Sequence, residues 1–419
     1  MKKLLFAAAA ALGLLGACTA GDSAGPDATD SGKEFVRVEG SFMLTPDGDT
    51  LFIRGTNLGN WLNPEGYMFG FSRTNSARMI NDMFCELVGE EFTADFWKQF
   101  KDNYITRSDI EFIASTGANT IRLPFHYKLF TDEDYMGLTS GQDGFDRIDS
   151  VVTWCRDNGL YLILDMHDAP GGQTGDNIDD SYAYPWLLRS ENHQRKFCGI
   201  WHDIAERYAG EPTILAYELI NEPVAHFFPD KVELNAALAP LLQRAVDTIR
   251  TVDPNHIILI GAPQWNSNFE PLSGHDFGEN IAYTCHRYGG PATAEAIASY
   301  IAFRDSTGLP MYMGEIGHNT DQWQNDFVRV MEDNNIGYTF WPYKKLENSC
   351  MMGIRRPEGW DSIVAFAEGP RGSFAEVREN RPSPVAAMNA MLRFIENSRA
   401  ENCMMQNSYI ESMNLTIPQ

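Results

Sequence analysis

Between about residue 50 and residue 345 the hydrophobic positions change period repeatedly, and each change marks a predicted element. Short apolar runs bounded by turn residues read as buried strands, while apolar residues recurring three and four apart read as helix faces. Leu51–Asn57 predicts a first strand, followed by a long excursion rich in Gly, Asn and Trp. A helix then runs to Gly117, placed as its C-terminal stop, before the strand Asn119–Phe125. Ile148, Val151, Val152 and Cys155 make the next helix face, which ends near Gly159 and feeds Leu160–His167. Phe197, Ile200, Trp201, Ile204 and Tyr208 share a face ahead of the stretch Ile214-Leu-Ala-Tyr-Glu-Leu-Ile-Asn-Glu-Pro223. Leu241, Leu242, Ala245, Val246 and Ile249 precede His256–Gly261, and Asn280–His286 follows as the sixth strand. A helix over Ala294–Asp305 leads to Pro310–Glu315. Last, Trp323, Phe327, Val330 and Met331 face inward before Ile336–Trp341.

Strands and helices alternating at a spacing of ~40 residues predict an α/β fold, the (β/α)8 TIM barrel. The alternative, a doubly wound open sheet, is disfavoured because no Gly-x-Gly-x-x-Gly turn follows the first strand. A single catalytic domain is expected over residues 34–398, with a last helix over Ser383–Asn397. Residues 399–419 form a C-terminal tail with no reading of its own.

The start of the chain follows different rules. Lys2 and Lys3 precede an apolar run from Leu4 to Ala17 that is too short to span a membrane as a mature helix. Leu15-Gly16-Ala17-Cys18 looks like a bacterial lipoprotein cleavage box, so residues 1–17 are expected to be a signal peptide and Cys18 the lipidated first residue. Residues 18–33, rich in Asp, Ser, Gly and Ala, then predict a flexible tether, and the protein is expected to be exported and lipid-anchored to the cell envelope. A formal charge of −24, from 33 Lys+Arg against 57 Asp+Glu, argues against nucleic acid, which needs a positive footprint. The remaining cysteines show no paired metal spacing, and buried free thiols are the expectation. The domain is expected to be a monomer.

In a barrel of this kind, polar residues at the C-terminal ends of the strands converge on one mouth. Here the second strand carries Arg122, the third His167, the fourth Asn221-Glu222, the sixth His286-Arg-Tyr288, the seventh Glu315 and the eighth Trp341. Taken singly, each has an ordinary structural reading: a core ion pair, a satisfied histidine, a packed indole, a proline turn beside a solvated acid. Six strands repeating one placement argue for a site. Two carboxylates facing each other suit glycoside hydrolysis, one donating a proton to the leaving oxygen and the other attacking or assisting at the anomeric carbon. An arginine and a tyrosine hydroxyl would hold one acid ionised, and burial would keep the other protonated. No compact metal-ligand set is visible, and neither metal nor cofactor is expected.

From about Leu51 to about Trp341 the chain resembles glycoside hydrolase family 5, the cellulase-type barrel enzymes. The resemblance implies that Glu222 in Asn221-Glu222-Pro223 is the general acid/base, that Glu315 after Gly314 is the nucleophile, and that Asn221 binds the sugar 2-hydroxyl. Arg122, His167, His286, Tyr288 and Trp341 match the family's remaining site positions in order. Asn57-Leu-Gly-Asn-Trp-Leu-Asn-Pro-Glu65 and His167-Asp-Ala-Pro-Gly-Gly-Gln173 are similar to the exo-β-1,3-glucanase branch, where the position of Glu65 binds the terminal sugar. Two departures stand out: Asn60 where a glycine is usual, and Asn63-Pro64 in place of an apolar pair. The implied activity is retaining hydrolysis of β-linked glucans or related glycans, with exo action expected from the long loops Leu58–Ile105 and Asp168–Glu191. Trp341 is expected to floor the cleavage subsite, with Trp61, Trp186 and Trp265 as further mouth or core aromatics. A catalytically silent glycan-binding lipoprotein, a scaffold barrel and a transglycosylase using the same residues are the alternatives.

Overall fold

The computed structural model describes residues 34–418 apart from residue 139. The expected signal peptide, tether and Cys18 lie outside the described residues. Eight parallel strands close into a barrel: β1 (Arg54–Asn57), β2 (Thr120–His126), β3 (Tyr161–Asp168), β4 (Ile214–Glu218), β5 (Ile257–Gly261), β6 (Ile281–His286), β7 (Met311–Gly317) and β8 (Gly337–Trp341). Each pairs with its sequence neighbour, and β8 returns to β1 through Tyr338 opposite Arg54 and Phe340 opposite Thr56. All eight predicted strands are present, so the open-sheet alternative falls.

Period-two alternation places the site residues. In β3, Leu162, Leu164 and Met166 pack outward with the helices, while Ile163 joins the barrel interior. Asp165 and His167 share the parity of Ile163 and point into the barrel. Below them, Ile163, Leu215, Ala216, Ile257, Leu259, Ala282 and Tyr312 form an apolar plug. A hairpin of Arg37–Glu39 and Phe42–Leu44 closes that end, with Val36 and Met43 packed onto the plug. The barrel is therefore dry at its N-terminal end and polar at its C-terminal mouth.

The predicted helix faces are buried: Ile148, Val151, Val152 and Cys155 on Gln142–Asp157, and Phe197, Ile200, Trp201, Ile204 and Tyr208 on Glu191–Tyr208. Side-chain caps start several of these helices, as with Ser190, Thr320 and Ser383, whose oxygens accept N–H donors of the first turn. Two expectations shift. Val328 rather than Val330 is buried with Phe327 and Met331 on Asp321–Asp333, and the helix expected over Ala294–Asp305 is a 3-10 turn followed by Ala298–Thr307. The six cysteines at 85, 155, 198, 285, 350 and 403 are free thiols.

The C-terminal residues belong to the domain. Met404–Met405 pairs with Met352–Ile354, and Asn407–Ser412 packs on the helix Asp321–Asp333. Tyr409 donates its hydroxyl to the Trp341 carbonyl at 3.1 Å, tying this segment to the end of β8. Among the described residues no helix is long and apolar enough to cross a membrane.

Candidate active site

Arg122 stands at the centre of the mouth, with no solvent exposure. Its Nε and Nη2 donate to the two oxygens of Glu218 at 2.8 Å each, its Nη2 also to Asn221 Oδ1 at 2.8 Å, and its Nη1 to Asn57 Oδ1 at 3.0 Å and Glu315 Oε1 at 2.8 Å. Asp165 Oδ2 lies 3.0 Å from Nη2. Burial alone would lower the guanidinium pKa, but Asp165, Glu218 and Glu315 outweigh it and hold the charge. One buried cation meets too many acids for all to ionise, so protons must be retained nearby.

Glu222 retains one. Burial, with Glu218 and Asp176 adding to it against Arg122, pushes its carboxyl up to about 8. Asp165 is likewise pushed by burial to about 7. Glu315 instead accepts Arg122 Nη1 and, at 2.5 Å, the Tyr288 hydroxyl. Burial and the Glu315 charge raise the Tyr288 phenol, which keeps its proton and donates it. The two glutamates thus sit in opposite surroundings, as expected, although Glu218 rather than Glu315 is the acid that most raises Glu222. One carboxylate oxygen of each comes within 4.8 Å of the other.

Local backbone delivers both. β4 ends at Glu218, and Glu222 lies four residues further on, at φ 45. That left-handed conformation is held from outside: Gln173 donates to the Asn221 carbonyl at 2.9 Å and Thr174 to the Glu222 carbonyl at 2.7 Å. In β7 the pairing slips by one residue, from Cys285 opposite Met313 to His286 opposite Glu315. This bulge turns Glu315 inward where strict alternation would aim it at the helices. Gly314 permits the close packing, since a Cβ there would stand 2.5 Å from Thr284 Oγ1 and 3.0 Å from His286 Nε2.

His167 and His286 are both neutral, held by burial at about 3 and about 4. His167 is fixed by Asp165 at 2.8 Å and stacks on Trp341 with centroids 5.1 Å apart and planes 3° from parallel. His286 Nδ1 lies 2.8 Å from Glu222 Oε1. Trp341 donates its indole N–H to the Tyr67 hydroxyl at 2.5 Å, and its ring lies against Gly59, where a Cβ would come within 2.9 Å. Asn60, in place of the usual glycine, has φ 66, so asparagine fills a left-handed position it tolerates well. Its Oδ1 accepts the Glu65 N–H at 3.3 Å.

These side chains line a cavity of about 320 Å³ with Glu65, Tyr67, His167, Ile178, Glu222, Tyr288, Glu315, His318 and Trp341 on its walls. Glu65 is buried there with Oε1 unpartnered, and burial, then the charges of Glu315 and Glu222, raises its pKa well above the carboxylate range. Arg122 lies beneath, holding the acids, with Asn221 hydrogen-bonded to it. Of the long loops, the Gly66–Phe69 turn and Ile178 reach the cavity, whereas the helices Ala77–Val88 and Glu90–Asn103 pack with Pro384–Ser398. Trp61 is core, donating to the Lys101 carbonyl at 2.9 Å; Trp186 is half-exposed away from the cavity, and neither it nor Trp265 lines it. Asn57, Tyr67, Asp165, Glu218, Asn266 and His318 complete the site without having been singled out from sequence. Asp165 and Glu218 carried a signal, each a charge directly following an apolar run, Leu162–Leu164 and Ile214–Tyr217.

Among the described residues, three sets of side chains bring donor atoms close enough for a metal. In Glu222–His286–Glu315 the Arg122 charge, 2.8 Å from Glu315, opposes a cation. In His126–Asp168–Asp180 the Nδ1 of His126 accepts the Lys128 N–H at 3.1 Å, so the ring proton sits on Nε2, facing both acids and leaving no lone pair for an ion. His202, Asp203 and Glu206 line an exposed helix surface.

Similarity to known proteins agrees with this geometry. A β-xylosidase of Phanerodontia chrysosporium is 28% identical over 358 residues, covering 77% of this chain and 73% of its own length. Endoglucanase C of Acetivibrio thermocellus is 28% identical over 65% of this chain and 93% of its own. A probable glucan 1,3-β-glucosidase A of Aspergillus niger is 27% identical over 58% of this chain, which spans 56% of that relative. Among solved structures, a β-glucanase from Saccharophagus degradans superposes with a TM-score of 0.54 at 19% identity, covering 87% of this chain and 94% of that one, a likeness of fold. The cellulase family model matches residues 84–346, more than half of the chain and seven of its eight barrel strands. The chain belongs to the cellulases of glycosyl hydrolase family 5.

Proposed function

We propose that this protein is a retaining hydrolase of β-linked glucans, with Glu222 as general acid/base and Glu315 as nucleophile. The carboxylate pair carries the reading: the closest oxygens lie within 4.8 Å, which suits the ~5–5.5 Å of retaining pairs and leaves no room for the water that inverting pairs hold across ~6.5–9.5 Å. Glu315, fed by two hydrogen-bond donors, attacks the anomeric carbon while Glu222, protonated at neutral pH, gives its proton to the departing oxygen. Water then enters with Glu222 as base and releases the sugar with its configuration retained. Tyr288 and Arg122 hold the attacking oxygens in line, Asn221 meets the 2-hydroxyl, and Trp341 floors the subsite with His167 stacked behind it.

A buried third carboxyl, Glu65, and the walls supplied by Tyr67 and Ile178 suit a terminal sugar, so we assign exo attack on a β-glucan. The relatives named as β-xylosidase and glucan 1,3-β-glucosidase support this. We also propose that Cys18 carries a lipid anchor on the cell envelope, where the acidic domain meets oligosaccharides. Cys18→Ser should release the protein from the membrane fraction.

The test is stereochemical. Proton NMR of early products from a β-glucan oligosaccharide should show the β-anomer first, and a 2-fluoro glycoside should label the peptide containing Glu315. The α-anomer appearing first, or a label elsewhere, would remove the assignment. Oligomers from internal cuts would remove exo action.

A further inference from the structure

His286 presents both ring nitrogens to named partners. Nδ1 faces Glu222 Oε1 at 2.8 Å, and Nε2 faces the side-chain amide of Asn266 at 3.2 Å. Asn266 is fully buried just past β5, the last of three consecutive left-handed residues, Gln264, Trp265 and Asn266, at φ 55, 57 and 54. Such backbone persists only where its surroundings impose it, and it gathers at functional sites. The amide makes one side-chain hydrogen bond, its Nδ2–H to His286 Nε2, and its Oδ1 is left without a partner. Gly261 gives it room, since a Cβ there would stand 2.7 Å from Asn266 Oδ1.

We propose that Asn266 is a positioning residue that sets the tautomer of His286, and through it the placement of the proton on Glu222. A donor aimed at Nε2 requires a lone pair there, so the single proton of a neutral imidazole sits on Nδ1. Burial keeps His286 neutral, its pKa at about 4. Nδ1–H then donates to Glu222 Oε1, which has a lone pair to accept it whether Glu222 is an acid or a carboxylate. The transferable proton is confined to Oε2. The same tautomer serves both half-reactions, so no proton has to cross the ring between them. The reverse tautomer would turn a lone pair toward Glu222, draw the acid proton to Oε1 and withhold it from the departing oxygen.

The inference rests on Glu222 being the acid/base, yet its test can fail separately. Histidine-selective ¹⁵N labelling of the full domain, with His286 assigned by its loss in His286→Gln, reads the tautomer directly in the unmutated protein. The expected signal is protonated Nδ1 and bare Nε2. The opposite pattern overturns the proposal even if Glu222→Gln abolishes hydrolysis. Asn266→Leu, close in size and carrying no donor, should release Nε2 and let the proton move there. Its kcat/KM should fall ~10–100-fold on oligosaccharides, whose leaving group needs protonation, and less than ~3-fold on a dinitrophenyl glycoside, whose leaving group does not. Equal losses on both substrates, or an unchanged tautomer, would refute the assignment.

Discussion

Replacing Glu222 with glutamine should weaken catalysis and strengthen the fold, and the two effects should share one pH dependence. In the native site Glu222 is 8% exposed and, through burial first, holds its proton to about 8 instead of 4.5. That distance corresponds to ~5 kcal/mol of penalty on the charged form, taken as an upper bound because water entry and relaxation reduce it. The sign follows from proton counting. Below pH 4.5 folded and unfolded chains both hold the proton, and Glu222 costs nothing. Between 4.5 and about 8 the unfolded chain loses its proton while the folded site keeps it, so stability falls as pH rises, and the loss is complete above the folded pKa. Glutamine keeps the shape and the acceptor facing His286, and it does not titrate. Unfolding free energies of the two proteins should therefore be close at pH 4.5 and diverge with pH, the variant ahead by ~2 kcal/mol or more at pH 9, with its thermal midpoint raised accordingly. In the same variant, hydrolysis of oligosaccharides should drop ~10²–10⁴-fold, and the alkaline limb of kcat/KM expected of the native enzyme should vanish. Parallel melting curves across the whole range, or a native alkaline limb near pH 5, would show that Glu222 is not the protonated acid derived from this geometry.

Three further outcomes follow from other parts of the molecule. Tyr288→Phe removes the 2.5 Å donor to Glu315, and kcat should fall ~10–100-fold with KM little changed; a change in KM alone would count against a role in aiming the nucleophile. Glu65→Gln should raise KM for oligosaccharides while sparing aryl glycosides that occupy only the cleaved subsite, and equal effects on both would separate Glu65 from the terminal sugar. Lys101 is buried above the Trp97 and Tyr135 rings, with the Met136 carbonyl at 3.5 Å as its hydrogen-bond acceptor. Burial, then the Arg147 charge, lowers it to about 7, so the penalty is fully present below that pH and fades toward 10.5. Lys101→Met should raise the thermal midpoint most at pH 6 and least at pH 10, and a gain independent of pH would point to packing alone.

The barrel was legible because its strands are buried and its helices two-faced, so that apolar runs and 3.6-residue faces are imposed at every step. Ile148, Val151, Val152 and Cys155 bury as one stripe for that reason. The C-terminal tail was not legible, because Met404–Met405 and Asn407–Ser412 are too short to carry a period and owe their structure to Met352–Ile354 and the helix Asp321–Asp333. The site was legible as a set of residues and opaque as a geometry. Alternation puts Asp165 and His167 on one face of β3, but the same rule applied to β7 would send Glu315 outward. A one-residue slip against β6 and β8 reverses it, and a slip is a property of pairing that no single strand encodes.

Glu222 makes the point more strongly, because its own neighbours argue against its conformation. A left-handed glutamate is disfavoured by ~1–2 kcal/mol, and Val224, two residues on, is left-handed too at φ 57. What holds the segment is the β3 loop, through the Gln173 and Thr174 hydrogen bonds and the paired backbone of Val224 with Gln173 and Ala225 with Thr174. The loop that supplies Ile178 to the cavity is therefore also the clamp on the acid/base, and Thr174 does this without lining the pocket itself. Substrate shape and the acid's placement are coupled through one segment. Changes in that loop made to alter sugar preference should then carry a cost in proton donation, greatest where they disturb Gln173 or Thr174 rather than Ile178.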